Sequence, residues 1–351
     1  MPGFASIIDQ DRPLGILTTL LRNGTIPHAL LFTGIEGVGK RAAALALAMA
    51  CNCEQTKLRY QAEGEKIGFS NYLRTPNHLA AIEPCGRCKS CRKIESGNHP
   101  DIIQINPSGP LIRIAQIREL CHTLAMKPYE ARHRVVIIAD AQTMNPAAGN
   151  ALLKMLEEPP ARTLLVLTTT RISDLLPTIV SRCQHLRFNP ISSQNLEALL
   201  VAKHRLDPAD AKAVAPMAHG SVSQALRLSR TNWINRRNWL IGEVETLSPR
   251  SAGRILALAE RLSQDKESLP LALEMMKFWL RDLVIVRYDT AKIVNKDLTR
   301  QIQRRAQKNS VQSILSKIEA IEACQKAINA NTNLRLTLET MLLELTKIQL
   351  N

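Results

Sequence analysis

Aromatic side chains are scarce in this sequence, and acidic side chains and long apolar segments are also few. Phe, Trp and Tyr make up 3% of its 351 residues, so a packed core must consist mainly of Leu, Ile, Val and Ala, which suits helices. The longest apolar stretch, AAALALAMAC at 42–51, is too short to cross a bilayer. The first residues show no basic segment followed by an apolar run. We therefore expect a cytoplasmic protein without membrane contact.

Charge and cysteine content narrow the class of partner and ligand. Lys and Arg number 46 against 31 Asp and Glu, a formal net charge of +15, which favours an acidic partner such as nucleic acid. Eight cysteines in a reducing cytoplasm are more often buried or bound to metal than paired as disulfides. The length predicts two or three domains.

The first half of the chain alternates near-continuous apolar runs with helical patterns. Such runs are typical of strands buried on both faces, and the alternation predicts an α/β fold with a parallel sheet flanked by helices. After about Asn189 only helical patterns remain. The predicted strands are Ala29–Phe32, Asp101–Asn106, Arg134–Asp140, Thr163–Thr170 and Gln184–Phe188.

A glycine-rich loop follows the first predicted strand. Gly34, Gly39 and Lys40 stand at the G-x-x-x-x-G-K spacing, with Gly37 between them, and such loops cradle phosphates with backbone N–H groups while the lysine reaches the outer phosphates. The next residue in an active site carries a hydroxyl for Mg²⁺, but here it is Arg41. Weak nucleotide binding at these residues is compatible with the sequence, whereas magnesium-assisted hydrolysis is not favoured.

The residues that end the third predicted strand also argue against magnesium-assisted hydrolysis. The strand ends at Asp140, the usual place of the carboxylate that holds Mg²⁺, and the next residue, where a glutamate would activate water, is Ala141. A methyl group cannot polarise water. We therefore predict a degenerate nucleotide site.

Three cysteines form a metal-binding pattern. Cys85, Cys88 and Cys91 follow C-x-x-C-x-x-C spacing, and three thiolates so arranged converge readily on one tetrahedral ion. Cys51 and Cys53 both offer a fourth ligand. The residue that an iron–sulfur pattern would use after Cys91 is not cysteine. The spacing therefore predicts a structural Zn²⁺ site rather than a catalytic one.

Arg182 lies between a short helix and the last predicted strand, in the sequence Ser181-Arg182-Cys183. A single arginine is usually a surface residue. At a sheet edge, however, it is placed to project into a neighbouring subunit and to stabilise charge on that neighbour's γ-phosphate, as an arginine finger does.

Several segments, taken in order, resemble the clamp-loader branch of the AAA+ proteins in the bacterial DNA polymerase III holoenzyme. The sequence NHPD (98–101) is similar to a stator subunit rather than to the gamma/tau motors. Two late segments, FWLRDL and NANTNLRLTLETMLLEL, also resemble the collar of that subunit. The core segments are PHALLFTGIEGVGK (27–40), CGRCKSC (85–91), GNHPDIIQINP (97–107), NALLKMLEEPP (150–160) and TIVSRC (178–183).

This resemblance implies an architecture and a set of partners. The AAA+ core, with a five-stranded parallel sheet, would occupy 1–189 and carry a zinc module at about 51–95; a helical lid would follow at 190–235 and a helical collar at 236–351. The collar would join five subunits, including gamma/tau motors and a delta subunit. The assembly would load a sliding clamp on primed DNA in a nucleoid-associated replisome.

The resemblance also implies roles for individual residues. Arg182 would be an arginine finger acting in trans, and the zinc ligands would be Cys53, Cys85, Cys88 and Cys91, with Cys51 as the alternative to Cys53. In motor relatives the lid carries a sensor arginine, and here Ser223 stands in that place. We therefore expect no ATPase activity from the chain alone. The segment 54–84 is longer than usual and receives no role.

Two other functions are compatible with parts of the sequence. One is a working gamma/tau-type motor ATPase, which Arg41, Ala141 and Ser223 disfavour. The other is a zinc-containing protein that binds DNA by itself through the basic segments 236–240 and 300–308. Those segments lack the interleaved aromatic residues that would stack on bases.

Overall fold

The computed structural model describes residues 3–55, 82–230, 233–248, 250–266, 268–330 and 332–347. Most of the 54–84 segment therefore lies outside the described residues. The chain divides into two compact units. The first is Met1–Leu199 with His219–Gln224, and the second is Leu200–Ala218 with Ala225–Asn351.

The first unit contains the five-stranded parallel sheet that the sequence predicts. The strand order is β2-β3-β4-β1-β5, and every pairing is parallel. The two edge strands therefore pair on one side only. The strands are β1 (Ala29–Thr33), β2 (Ile102–Ile105), β3 (Arg134–Ile138), β4 (Thr163–Thr169) and β5 (Gln184–Arg187).

Helices cover both faces of this sheet, which explains why its strands are apolar at successive positions. In β1, Leu30 and Phe32 belong to one buried cluster, and Ala29 and Leu31 belong to another, because neighbouring side chains of a strand point to opposite faces. The α-helices of this unit are α1 (Asp11–Asn23), α2 (Lys40–Asn52), α3 (Lys89–Glu95), α4 (Ile114–Ala125), α5 (Pro146–Glu157) and α6 (Pro177–Val180). Short 3₁₀ helices occur at Phe4–Ser6, Ala141–Thr143 and Ile172–Asp174.

The described part of the second unit is helical. Helices α7 (Ser193–His204) and α9 (Val222–Arg230) have residues in both units, and α10 spans the predicted boundary at 235/236. The remaining α-helices are α8 (Pro208–Val214), α10 (Trp233–Thr246), α11 (Ala252–Gln264), α12 (Leu269–Ile285), α13 (Thr299–Ala306), α14 (Val311–Asn329) and α15 (Leu334–Lys347). Short 3₁₀ helices occur at Ala215–Ala218, Thr290–Lys292 and Lys296–Leu298.

Leu, Ile and Met side chains, together with a few aromatic residues such as Trp279, fill the core of the second unit. On α12, Met276, Trp279 and Leu283 are buried, and Ile314 of α14 and Leu342 of α15 are fully buried. Among the described residues, the helices are all too short or too polar to qualify as membrane spans.

Candidate functional site

The parallel sheet gives the first unit two chemically different ends. All five strands run the same way, so their carboxyl ends lie at one end of the sheet. That end carries the loop after β1, Asp140 after β3 and Thr168 near the end of β4. Helix α2 starts at that end and returns over its 13 residues, a distance of about 20 Å. Its last residue, Asn52, therefore reaches the amino end, where its side-chain N–H donates to His133 O just before β3.

The glycine loop between β1 and α2 keeps the backbone of a phosphate-binding loop. Gly34, Gly37 and Gly39 all have positive φ angles, at 147°, 78° and 101°, which glycine tolerates far better than other residues. At Gly37 the backbone fit is close, because a Cβ there would lie 2.6 Å from Ser223 N. Val222 N–H also donates to Gly37 O at 3.1 Å. The segment containing Ser223 thus lies directly against the loop.

Lys40 is turned back onto this loop. Its side chain is 7% exposed, and Nζ donates to Gly34 O at 2.5 Å and to Ile35 O at 2.8 Å. Burial lowers the pKa of Lys40, and the nearby carboxylates of Asp140 and Glu36 only partly oppose that shift. The ammonium group that would bind a phosphate is therefore satisfied by the chain's own carbonyl groups.

Arg41 makes a contact away from the phosphate position. Its Nη2 donates to Gln104 Oε1 on β2 at 2.7 Å, and the residue is exposed. A guanidinium has no acceptor atom for a metal ion. The residue that occupies the hydroxyl position thus contributes a hydrogen bond to the sheet rather than a magnesium ligand.

Asp140 and Ala141 follow β3 as predicted. Asp140 has a left-handed backbone with φ of 50°, and its N–H donates to Thr168 Oγ1 at 3.1 Å. Ala141 is buried and packs in the apolar core, so no side chain there reaches a water molecule. Sequence reasoning missed the link to Thr168, since those residues are 28 positions apart and threonine in a strand is common.

Arg182 lies at the opposite end of the sheet from the glycine loop. It precedes β5, whose Gln184 pairs with Leu30 and whose Arg187 pairs with Thr33, next to Gly34. Strand β5 has four residues and spans about 13 Å, and Arg182 lies in the turn before its first residue. Arg182 is exposed, and it precedes β5, an edge strand of the sheet. Its guanidinium therefore lies at the surface and away from the glycine loop of the same chain.

Three contacts hold the Arg182 guanidinium at the surface. Nη2 lies 2.7 Å from Glu157 Oε1, and Nη1 donates to Thr178 O at 3.0 Å and to Ser181 Oγ at 3.3 Å. Glu157 is the last residue of α5. Sequence reasoning did not connect Glu157 with Arg182, because 25 residues separate them.

Four cysteines converge at the amino end of the sheet. The Sγ atoms of Cys53, Cys85, Cys88 and Cys91 all lie within 4.8 Å of one another, and a tetrahedral zinc site with Zn–S bonds of about 2.3 Å places its sulfur atoms about 3.8 Å apart. The group can therefore hold a metal ion. Backbone N–H groups donate to three of the sulfur atoms, from Cys85 to Cys53, from Cys88 to Cys85 and from Cys91 to Cys88, at 3.3–3.4 Å.

The structure brings Cys53, and not Cys51, into this group. Helix α2 ends at Asn52, and Cys53 has extended backbone with φ of −70° and ψ of 125°. Cys51 is still helical and packs in the core beside the sheet, where burial raises the pKa of its thiol to about 12. Cys51 is therefore an inert core thiol.

The HPD sequence at 99–101 has a structural explanation. The Asp101 carboxylate is buried and accepts N–H bonds from Tyr129, Glu130 and Ala131 at 2.8–2.9 Å. Arg134 Nε lies 3.7 Å away. Burial by itself raises the pKa of Asp101, but the three amide donors and Arg134 outweigh it, so the pKa is lowered. Asp101 thus anchors the loop that leads into β3.

The two basic segments of the second unit differ. Arg236 pairs with Asp265, and Arg237 is 1% exposed, bound to Asp297 and Asn295. The segment 236–240 is therefore structural, and the expectation that it permits DNA binding is wrong for Arg237. By contrast, Arg300, Arg304 and Lys308 are exposed, and in the part of the chain that the structure describes no ion pair engages them.

Comparison with known proteins places this fold and site in a family. A family model described as "DNA polymerase III, delta subunit" matches residues 9–66 and 69–192. A second, "DNA polymerase III, delta subunit, C terminal", matches residues 231–347. The two matches together cover most of the chain and define a protein of the DNA polymerase III delta-subunit class.

Individual relatives specify the family further. DNA polymerase III subunit delta' of Bacillus subtilis is 30% identical over 341 residues, covering 96% of each chain. The same-named subunit of Pseudomonas aeruginosa is 31% identical over 327 residues, covering 90% of this chain and 91% of that one. Subunit tau/gamma of Haemophilus influenzae is 31% identical over 232 residues, covering 64% of this chain but only 30% of that subunit. This chain belongs to the delta-prime subunit family of DNA polymerase III.

Proposed function

We propose that this chain is the stator subunit of a clamp loader, which supports ATP-driven loading of a sliding clamp on primed DNA without hydrolysing ATP itself. The observation that carries the proposal is the position of Arg182. An exposed guanidinium separated from its own glycine loop by the length of strand β5, about 13 Å, is placed to serve a site on another subunit. Arg182 then acts as an arginine finger, stabilising transition-state charge on a neighbour's γ-phosphate.

The chain's own nucleotide site supports the second half of the proposal. Lys40 bonds to its own loop, Arg41 bonds to Gln104 and Ala141 offers only a methyl group. Ser223, in the place of a sensor arginine, lies against Gly37. The positions of the magnesium-binding hydroxyl, the water-activating glutamate and the sensor arginine thus each lack the required group, although Lys40 and Asp140 are present. Nucleotide binding at Lys40 would have to displace its present hydrogen bonds and is expected to be weak or absent.

We further propose that Cys53, Cys85, Cys88 and Cys91 hold a structural Zn²⁺ ion. Their mutual distances suit four thiolate ligands, and four protein ligands leave no open position for water. When bound, the ion cross-links the end of α2 to the start of α3 and takes no part in ATP chemistry.

The partners follow from the family. We propose that the chain assembles with gamma/tau motor subunits and a delta subunit in a five-membered ring, in the cytoplasm at the nucleoid. The regions 1–189, 190–235 and 236–351 would serve as core, lid and collar, with the helical collar holding the ring together. The chain would thereby act within the DNA-directed DNA polymerase holoenzyme.

Arg182→Ala in the reconstituted clamp loader tests this function. Turnover at the single adjacent ATP site is expected to fall by about 10³-fold or more, the usual effect of losing an arginine finger, so total DNA-stimulated turnover falls by that site's share. Assembly, measured by gel filtration, should be unchanged because Arg182 is exposed. Unchanged ATP turnover and clamp loading by an intact Arg182→Ala complex would refute the finger role.

A further inference from the structure

Glu157 is the residue that holds the Arg182 guanidinium in place. We propose that it is a positioning residue for the arginine finger: it fixes the side chain before a neighbouring ATP site is engaged. The inference rests on the function proposed above for Arg182. It concerns a contact that joins the end of α5 to the edge of the sheet.

The geometry of the contact leaves the finger free to act. Glu157 Oε1 engages Nη2, while Thr178 O and Ser181 Oγ engage Nη1. A guanidinium has five N–H donors, so Nε–H and one Nη2 hydrogen remain available to a phosphate. The side chain of Arg182 is still 37% exposed. The contacts therefore orient the group without covering it.

The position of Glu157 supports a positioning role. A carboxylate at the last residue of a helix lies at the negative end of the helix dipole, which disfavours it by itself. The adjacent guanidinium offsets that cost, and Glu157 is half-exposed with little packing to lose. Its role is therefore better explained by the arginine it binds than by the stability of α5.

Holding an arginine in advance reduces the entropy lost when it meets the phosphate. Arginine has many rotamers, and an exposed ion pair selects among them only modestly, so its loss is expected to change rates about two- to fivefold. The effect should appear in kcat, because the finger contacts the transition state more strongly than bound ATP. KM for ATP should stay the same.

The test uses the reconstituted complex with four variants of this chain. Glu157→Ala removes the charge and the acceptor, and Glu157→Gln keeps an acceptor oxygen of the same shape. Glu158→Ala is the matched control, an exposed glutamate one residue further on. Arg182→Ala gives the rate without the finger.

We expect Glu157→Ala to lower kcat at the adjacent ATP site about two- to fivefold with unchanged KM, so that total turnover falls by part of the loss seen in Arg182→Ala. Glu157→Gln should lie closer to the natural protein than Glu157→Ala does, and Glu158→Ala should match the natural protein. The melting temperature should be the same for all of them. In the free chain, NMR of ¹⁵N-labelled arginine should show slowed guanidinium rotation for Arg182 that Glu157→Ala removes and Glu158→Ala retains.

The outcomes separate this inference from the function on which it rests. If Arg182→Ala lowers turnover but Glu157→Ala equals or exceeds the natural protein, Glu157 does not position the finger, although the finger role stands. If Arg182→Ala itself has no effect, the proposed function fails and this inference fails with it. Equal loss in Glu157→Ala and Glu158→Ala would also overturn the specific role of Glu157.

Discussion

The charged groups at the two ends of the parallel sheet differ in their exposure and in their partners. At the carboxyl end, Lys40 is buried and bound to its own loop, and Arg41 is bound to Gln104. At the amino end, Arg182 is exposed, and the four-cysteine group and the buried Asp101 anchor hold the surrounding segments. On the proposed function, the first end has lost its own chemistry and the second serves the neighbouring subunit.

On the proposed function, this difference illustrates how a fold can be retained after its own reaction is lost. The glycine loop has a structural role, because a side chain at Gly37 would collide with the segment around Ser223 and Gly37 O accepts the Val222 N–H. The loop therefore has this structural role in addition to any role in binding phosphate. Substitutions at the amino end are therefore expected to have larger effects than substitutions of the carboxyl-end charges.

The largest effect is expected from Cys88→Ser at the amino end. Losing one thiolate should release zinc from the chain and, as for other lost metal sites, lower the free energy of unfolding by about 4 kcal/mol. Elemental analysis of the purified protein and denaturant titration measure the two effects. Cys121→Ser, which changes a cysteine outside the group, should keep its metal. A natural protein that contains no zinc would contradict the site.

A smaller effect is expected from Asp101→Asn, also at the amino end. The amide cannot satisfy three N–H donors and leaves Arg134 without its carboxylate, so the free energy of unfolding should fall by about 3 kcal/mol at neutral pH. Denaturant titration measures it. Equal stability of variant and natural protein would contradict the anchoring role.

The stability difference between Asp101→Asn and the natural protein should depend on pH in a definite direction. The pKa of Asp101 is lowered in the folded chain from an ordinary value of 3.8, so its contribution is complete above that value and is lost as pH falls through the lower, folded-state pKa. Titrations near neutral pH should therefore give a constant difference between Asp101→Asn and the natural protein. The difference should shrink below pH 3.8.

The smallest effect is expected from Lys40→Met at the carboxyl end. Since Lys40 donates hydrogen bonds to its own loop, ATP turnover and clamp loading by the reconstituted complex should equal those of the natural protein. The same assays on Arg182→Ala provide the contrast. A loss in Lys40→Met as large as that in Arg182→Ala would mean that this chain's own nucleotide site works.

Much of the first unit could be predicted from the sequence because its signals are local. Continuous apolar runs give the five strands, and the glycine spacing gives the loop between β1 and α2. The choice between Cys51 and Cys53 was open because it depends on where α2 ends. One residue of helix turns a side chain by about 100°, and the end at Asn52 leaves Cys51 in the core and frees Cys53.

The contacts that position the side chains of the candidate site could not be predicted, because they join residues that are distant in sequence. Arg41 meets Gln104, Asp140 meets Thr168, and Arg182 meets Glu157 only after the strands are aligned. The burial of Arg237 was missed for a similar reason: its partners Asn295 and Asp297 lie about 60 residues further on. A run of basic residues does not by itself reveal which are exposed.

The most direct test of the account is ATP turnover by the purified chain alone, compared with the complete clamp loader. The account predicts no sustained phosphate release from the chain, with or without primed DNA, and full turnover when the natural chain joins the motor subunits. Steady hydrolysis by the isolated chain, abolished by Lys40→Met, would contradict it.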